Sequence, residues 1–485
     1  MQLVLMSASA SSLSALPGAP SVPDGPTGRL VTWAHELRWD DVPMEVRARA
    51  AHLMLDGVAC ALVGAQLPWS RIARAAVMSL EGAGDVPVIG TGLTTSGPAA
   101  VLLNSSFIQG FELDDFHPQA PLHSCSLMLP ALLATAAGQD VTGRDFLLAL
   151  IAGFETGPRV GRALGGTSML SRGWHSGPVF GGIAAAIACG KLRGLDPARL
   201  EDAVGFAATQ SAGLMSAQYE SMGKRMQHGF AARNGFYAAG LAAAGYTGID
   251  QVIERPYGGY LAVYGEGHPT DAAAVTRELG RFWETGVITV KSWAVMGGLH
   301  GAVEAAQALR SRLARRTVER IDIRVGDVVY QHGWWRPERP LTATGAQMNI
   351  GYATAVTLLD GVALPEQFTA GRLDADDVWH LLERTRVQHD RAIDELPMTE
   401  RFQTHVTVAF TDGTVDTETV IAPHGNPRDP VTNAEIVAKY RALVGRVTDE
   451  ERSLAIEAAV LDLEHAPALD RLIALLNGPV GRALD

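Results

Sequence analysis

The first half of the chain shows apolar residues at helical spacing. Between 45 and 63 they recur every three or four residues, which is typical of a helix with one buried face. Asp196 and Pro197 form a helix start, with a capping side chain before a proline at the first helical position. Segment 180–187 is rich in alanine and glycine, whose small side chains let helices approach closely. We therefore predict a compact helical bundle over 28 to about 280.

The pattern changes near residue 287. Apolar and polar residues alternate in 321–325, in 405–408 and in 415–420, and Asp412-Gly413 between the last two is a hairpin signal. Helical spacing returns after Pro430. Helical stretches between the predicted strands lie at 344–359 and 376–386.

These patterns predict a mainly α fold. A large all-helical domain is formed by both chain ends, and a smaller α+β lid domain is inserted into it. The predicted segments are a flexible N-terminal extension at 1–27, helical domain at 28–286 and 426–485, and lid domain at 287–425. The junction between two domains is a common place for a ligand pocket.

Charge and cysteine content narrow the class of partner. The formal net charge of −12 argues against nucleic acid, but a few local cations could still hold a small anion. Cys60, Cys125 and Cys189 show no Cys-x-x-Cys spacing, which argues against a disulfide framework, a zinc ribbon or a typical iron–sulfur site. No stretch looks like a membrane helix or a secretory signal. We expect a cytoplasmic protein without a membrane partner.

Only four of the forty basic residues are lysines: Lys191, Lys224, Lys291 and Lys439. A lysine ammonium can lose its proton, whereas an arginine guanidinium does not, so the retained lysines are candidate functional groups. Lys224 lies among glycine, methionine and alanine, and Lys291 follows an apolar run. The alternative is that they are ordinary surface lysines.

The densest group of ionisable residues lies between 112 and 124. It contains three carboxylates and two imidazoles: Glu112, Asp114, Asp115, His117 and His123. Two prolines exclude a continuous helix, so the segment is predicted to be a loop after a helix. We favour acid/base chemistry here, with His123 ahead of His117. A loop that only closes a helix pair and a metal site are the alternatives, although the histidines lack a recognised ligand spacing.

Further candidates lie elsewhere in the chain. His175 precedes a Gly-Pro helix start, where free backbone N–H groups favour anions. In a helix, Lys224 and His228 would share one face. His300 and Tyr330 lie in segments for which ordinary loop packing is an equally good interpretation. Nucleotide-binding glycine motifs, a phosphate loop and a serine elbow are missing, so we infer cofactor-free proton transfer on a small anionic polycarboxylate.

These segments resemble the MmgE/PrpD family over nearly the whole chain from about residue 28. The most specific parts are 112–124, 173–175 and 224–235. Within the family, 55–60, 68–70 and 213–219 are most similar to the fungal cis-aconitate decarboxylase branch. The resemblance implies a homodimeric lyase that needs no metal or organic cofactor, with decarboxylation of cis-aconitate to itaconate as the leading expectation.

The resemblance also implies which residues act. The predicted catalytic residues are Glu112 (where the family more often has Asp), His123, His175, Lys224, Lys291 and Tyr330. The predicted substrate-binding residues are Asp114, His175, Lys224, His228, Lys291 and His300. We expect Lys224, Lys291, His123 and His175 to meet in one crevice where the helical domain and the lid touch.

Two departures from the family pattern leave alternatives open. Phe116 replaces a frequent threonine, and Met296 ends the 291–296 segment, which usually contains a tyrosine and a cysteine pair or a nearby histidine. Dehydration of 2-methylcitrate and epimerisation of iminodisuccinate would begin with the same proton transfer. A non-catalytic carboxylate-binding protein on the same scaffold is a further alternative.

Overall fold

The protein is mainly α-helical, as predicted. The computed structural model describes residues 18–313, 316–397 and 400–482. Its first helices are α1 Pro26–Glu36, α2 Met44–Gly64, α3 Pro68–Leu80, α4 Gly97–Ile108, α5 Ser124–Ala136, α6 Gly143–Ala163, α7 Ser168–Ser171, α8 Ser176–Leu192, α9 Pro197–Ala208, α10 Gly223–Ala243 and α11 Tyr260–Tyr264. The later helices are α12 His300–Leu313, α13 Asp327–Gly333, α14 Ala343–Met348, α15 Ile350–Asp360, α16 Ala370–Leu373, α17 Asp376–Leu382, α18 Arg391–Asp394, α19 Asn433–Val444, α20 Glu450–Leu461 and α21 Asp470–Asn477.

The strands form one four-stranded sheet and two short pairs. They are β1 Val86–Val88, β2 Leu93–Thr95, β3 Asp115–Phe116, β4 Thr289–Val290, β5 Val318–Val325, β6 Thr385–His389, β7 Thr404–Phe410 and β8 Val415–Val420. The sheet order is β6-β5-β7-β8, with β5 and β6 parallel and the other neighbours antiparallel. Alternate residues of β5, such as Ile321 and Ile323, are fully buried, and α12 packs against β7 and β8.

Small residues set the position of α10, the helix that carries Lys224. A side chain at Gly229 would come within 2.4 Å of the Leu102 carbonyl oxygen in α4. A side chain at Gly235 would come within 2.5 Å of Ala185 in α8. The backbones of α4 and α8 therefore approach α10 more closely than a larger residue would permit.

Several local predictions are confirmed and others are wrong. Asp196 caps α9 by accepting a hydrogen bond from the Arg199 N–H, and β7 and β8 form a hairpin across Gly413. The predicted helix over 376–386 ends at Leu382, because the chain joins the sheet as β6. Of the predicted flexible extension, 1–17 lies outside the described residues.

Residues 18–25 do not behave as a free extension. The Ser21 N–H and hydroxyl both donate to the Glu201 carboxylate in α9, and α1 begins at Pro26. The predicted limits of the helical and lid domains stay predictions. Within the described residues, no single helix is long and apolar enough to cross a bilayer. The α2 and α3 helices reach that length and composition when they are taken together, but they are bent by 85° relative to each other.

A buried ion pair joins the C-terminal helices to α2, near the start of the chain. The α19 and α20 helices pack against α2. Nζ of Lys439 in α19 lies 2.6 Å from Oδ1 of Asp56 in α2, and it also donates to the Leu113 carbonyl oxygen. Asp56 is fully buried. Lys439 therefore attaches the C-terminal helices both to α2 and to the 112–124 loop.

Replacing this lysine is expected to destabilise the fold. Lys439→Met would leave the Asp56 carboxylate buried without its cation, which costs about 3–5 kcal/mol. Urea unfolding measures the loss. Adding Asp56→Asn to Lys439→Met is expected to restore part of it, since the uncompensated charge is removed. A loss below about 1 kcal/mol in the single variant would contradict a role for the pair in stability.

Candidate active site

One cavity brings the central candidates together. Glu112, His123, His175, Lys224 and Lys291 all line it, although up to 179 residues separate them in the chain. The helical segment contributes one part of the lining, and residues from Lys291 onwards contribute the other. The expectation that the two lysines and two histidines meet in one crevice is confirmed.

Glu112 lies at the centre of a cluster of charged side chains. Its carboxylate accepts hydrogen bonds from Nζ of Lys224 at 2.5 Å, from Nζ of Lys291 at 2.8 Å and from the Arg225 guanidinium. Burial by itself would raise the pKa of Glu112, but the three cations outweigh it and hold the pKa well below its usual range. The residue has a φ of 55°, a left-handed conformation unusual outside glycine and often found at functional sites.

Asp114 and His123 form a second pair beside Glu112. Nδ1 of His123 lies 3.1 Å from Oδ2 of Asp114, which is itself fully buried. Burial raises the pKa of Asp114, but His123 and Lys291 together lower it below its ordinary value. The two side chains form an ion-pair contact, and Nε2, the other ring nitrogen of His123, is the one available for proton exchange.

The loop that carries His123 is fixed by Asp115. The Asp115 carboxylate accepts backbone hydrogen bonds from Ser124 at 2.7 Å and Cys125 at 3.0 Å, at the start of α5. These bonds satisfy free N–H groups at the helix N-terminus. Burial and the neighbouring Asp114 charge raise the pKa of Asp115 well above its usual value. The helix start therefore holds His123 at its N-cap position.

His175 is held in one tautomer by Gln227. Its Nδ1 lies 2.7 Å from Oε1 of Gln227, whose amide nitrogen donates to the Leu214 carbonyl oxygen. That second bond orients the amide, so Nδ1 of His175 is the donor and Nε2 is an acceptor. Burial, followed by the Lys224 charge, lowers the pKa of His175 well below its usual value. His175 is therefore a neutral proton acceptor near neutral pH.

His228 lies behind the cavity lining. Its ring centroid is 5.0 Å from those of both His123 and His175. Ser126 donates its hydroxyl hydrogen to the His123 carbonyl oxygen and lies 2.9 Å from Nδ1 of His228. His228 therefore donates to Ser126 and supports the two lining histidines from behind. The prediction that it shares a helix face with Lys224 is confirmed by α10.

Gln347 was not identified from the sequence, and Arg225 was not among the predicted catalytic or substrate-binding residues. Arg225 donates to Oε1 of Gln347 at 2.7 Å, and Gln347 donates to the carbonyl oxygens of Phe111 and Ala294. Gln347 thus joins the segment before Glu112 to the segment after Lys291. The nearest sequence signal was the basic Lys-Arg pair at the start of α10.

Besides Asp114 and His228, which lie behind lining side chains, two more predicted site residues lie outside the cavity lining. His300 is buried at the start of α12, where it lines a separate small pocket with Phe116 and Gly297, and burial lowers its pKa to about 3. Tyr330 lies on α13, and its ring stacks on His389, 6.1 Å between centroids. This corrects the predicted contact of Tyr330 with substrate, since the α13 side chains that line the cavity are on another face of the helix.

The two departures from the family pattern both face the cavity. Phe116 and Met296 line it together with Val329, Met348 and Phe402, which makes this part of the lining largely apolar. Lys291 reaches the charged part because β4 pairs with β3, opposite Asp115 and Phe116. Within the described ranges, no group of three or more His, Cys, Asp and Glu side chains could hold a metal ion.

Several known proteins are similar to this chain over most of its length. The chain is 45% identical over 472 residues to a cis-aconitate decarboxylase-like protein of Aspergillus oryzae, covering 93% of this chain and 97% of the relative. It is 42% identical over 475 residues to the cis-aconitate decarboxylase of Aspergillus terreus, covering 94% and 96%. The mouse cis-aconitate decarboxylase is 25% identical over 393 residues, covering 78% of each.

The family assignment rests on two further matches. Residues 28–272 match the MmgE/PrpD N-terminal domain, and residues 293–465 match the MmgE/PrpD C-terminal domain. Lys291 lies in the gap between the two matches, 273–292. Because the two matches together span most of the chain, the protein belongs to the MmgE/PrpD family.

Proposed function

We propose that this protein is a carboxy-lyase that converts cis-aconitate to itaconate and CO₂. The observation that carries the proposal is the juxtaposition of the Lys224 and Lys291 ammonium groups with the Asp114-oriented imidazole of His123 in one cavity. The names of the fungal relatives, which align over nearly their full length, support the same reaction.

The reaction needs one proton and no electron acceptor. The bond between the CH₂ carbon and its carboxylate breaks, and the electron pair of that bond forms the new terminal double bond. The electrons of the old double bond take up a proton at the neighbouring CH carbon. The cis-aconitate trianion and one proton thus give the itaconate dianion and CO₂.

The charged residues of the site carry out this step. Protonated His123 delivers the proton through Nε2, while Asp114 holds the ring by Nδ1. Negative charge that develops on the carboxylate beside the CH carbon is stabilised by the ammonium groups of Lys224 and Lys291. Glu112 keeps both ammonium groups in place, and each lysine retains N–H donors for the substrate.

A product assay tests the reaction directly. Purified protein is incubated separately with cis-aconitate, 2-methylcitrate and iminodisuccinate, and proton NMR with CO₂ detection identifies the product. Itaconate with equal release of CO₂ is expected only from cis-aconitate. Water loss from 2-methylcitrate would instead support the dehydratase alternative, and loss of chirality the epimerase. Thermal stabilisation by cis-aconitate without any product would support a binding protein.

The alkaline side of the pH profile is expected to depend on Lys224. Burial lowers the pKa of Lys224 to about 8, so its ammonium is charged below that pH and neutral above it. Attraction for the anionic substrate is therefore present at lower pH and lost as pH rises. We expect kcat/KM to fall as pH rises through about 8, and the fall to move to higher pH in Lys224→Arg. A profile that stays flat to about pH 10 would contradict this assignment.

We also propose a cytoplasmic homodimer in which an α+β lid is inserted into a helical domain. A dimer is supported by the apolar side chains that α10 and the turn before it expose, namely Leu214, Met222, Phe230 and Tyr237. Cys60, Cys125 and Cys189 are all unpaired, which suits a reducing compartment. Light scattering of the purified protein measures the dimer, and a monomeric mass would refute it.

A further inference from the structure

The apolar part of the cavity contains one unexplained polar residue. Among the described lining residues that follow Lys291, His332 is the single ionisable one, and its neighbours in the lining include Val329, Met348 and Phe402. His332 is 5% exposed. It lies one turn after Val329 on α13, and α13 packs against α7 of the helical segment.

The His332 imidazole lacks a partner for one nitrogen. Nε2 is buried and makes no hydrogen bond to any described residue. Burial also lowers the pKa of His332 to about 4, so the ring is neutral near neutral pH. A buried polar atom without a partner is unfavourable in an apolar wall, unless a ligand in the cavity satisfies it.

We propose that His332 is a further substrate-binding residue, which donates a hydrogen bond from Nε2 to one carboxylate of the substrate. The inference rests on the proposed function, because it assigns the second end of the same polycarboxylate. In this arrangement Lys224 and Lys291 hold one end of the substrate. The carboxylate at the other end then lies against the apolar part of the lining, where it needs a hydrogen-bond donor. His332 supplies that donor without placing a permanent charge among apolar residues.

This role makes the residue important for specificity. A site built to hydrogen-bond a substrate group discriminates against analogues that lack the group, because its own buried polar atom is then left unpaired. His332 is therefore expected to favour a tricarboxylate over a dicarboxylate. Its removal should weaken binding more than it slows the chemical step, since the proton comes from His123.

The test compares two substitutions at position 332 with a control on the same helix. His332→Leu replaces the donor with an apolar side chain, whereas His332→Gln keeps an N–H donor. Gln331→Ala is the control, because Gln331 is exposed and its side-chain partner among the described residues is Asp327 of the same helix. Circular dichroism and thermal unfolding establish that each variant is folded.

We expect His332→Leu to raise KM for cis-aconitate about tenfold or more, with kcat within about threefold of wild type. His332→Gln is expected to recover part of the affinity, and Gln331→Ala to behave as wild type. An unchanged KM in a folded His332→Leu variant would overturn the proposal. So would a loss confined to kcat, or equal losses in the Leu and Gln variants.

A binding measurement separates this inference from the proposed reaction. Tricarballylate has three carboxylates but no double bond, so it cannot follow the decarboxylation route. Calorimetry gives its Kd with wild type and with each variant, and itaconate serves as the dicarboxylate. A weaker Kd for tricarballylate alone in His332→Leu supports the role even if cis-aconitate yields no product. Equal Kd values in wild type and His332→Leu would refute it.

Discussion

The His123→Ala variant is expected to lose turnover of cis-aconitate by about 10²–10⁴-fold while keeping the wild-type fold. The cavity lining contains other imidazoles, but Nε2 of His117 is paired with the Glu284 carboxylate, whereas His123 meets Asp114 through Nδ1 and keeps Nε2 for the substrate. His175 is a neutral acceptor, so it does not replace the lost acid. Steady-state kinetics and thermal unfolding, measured on the same preparation, check the two parts of the expectation.

The fold should tolerate this change. His123 precedes α5, but its side chain makes no capping hydrogen bond, and the helix start is satisfied by Asp115. His465→Ala is a suitable control, because His465 is exposed near the C-terminus and far in sequence from the site. Turnover near the wild-type value in His123→Ala would remove His123 from the role of proton donor.

The Glu112→Gln variant is expected to be both inactive and less stable, by about 3–5 kcal/mol. The substitution keeps the shape but removes the negative charge, which leaves Lys224, Arg225 and Lys291 buried around a neutral amide. Repulsion among the three cations is then uncompensated. Urea unfolding gives the free energy of unfolding, and the product assay gives the activity.

An ion pair at the protein surface serves as the control for the stability of Glu112→Gln. Glu366 pairs with Arg446 where both side chains are partly exposed, so Glu366→Gln is expected to change stability by less than about 1 kcal/mol. If Glu112→Gln unfolds like Glu366→Gln, the cations must be compensated by another group. Activity retained in Glu112→Gln would show that the charge of Glu112 is dispensable for placing the two lysines.

Helical spacing predicted that His228 lies on the same helix face as Lys224, but it did not predict the distant side chains that bind this part of α10. The spacing of Lys224 and His228 was readable because both lie on one helix, where four residues make about one turn. The bond from Arg225 to Gln347 joins two segments 122 residues apart, and no local pattern records it. The same limit explains why Glu112 was identified as a site residue without its three cations.

Two sequence predictions in the segment after Lys291 were wrong. Tyr330 and His332 are two residues apart, so on α13 they lie on different faces of the helix. The sequence predicted a loop there and favoured the tyrosine, whereas the cavity is lined by His332. Similarly, 376–386 was predicted as one helix, but hydrogen bonding to β5 takes Thr385 and Arg386 into β6.

The sequence by itself determined the mainly α fold, three of the four strands of the small sheet and the residues able to do acid/base chemistry. These follow from local periodicity and from side-chain chemistry, which do not depend on distant contacts. Only the tertiary structure decided which groups are charged, which tautomer His175 adopts and which residue of α13 reaches the cavity. Those properties depend on burial and on partners far away in the chain, and both arise only when the helices pack.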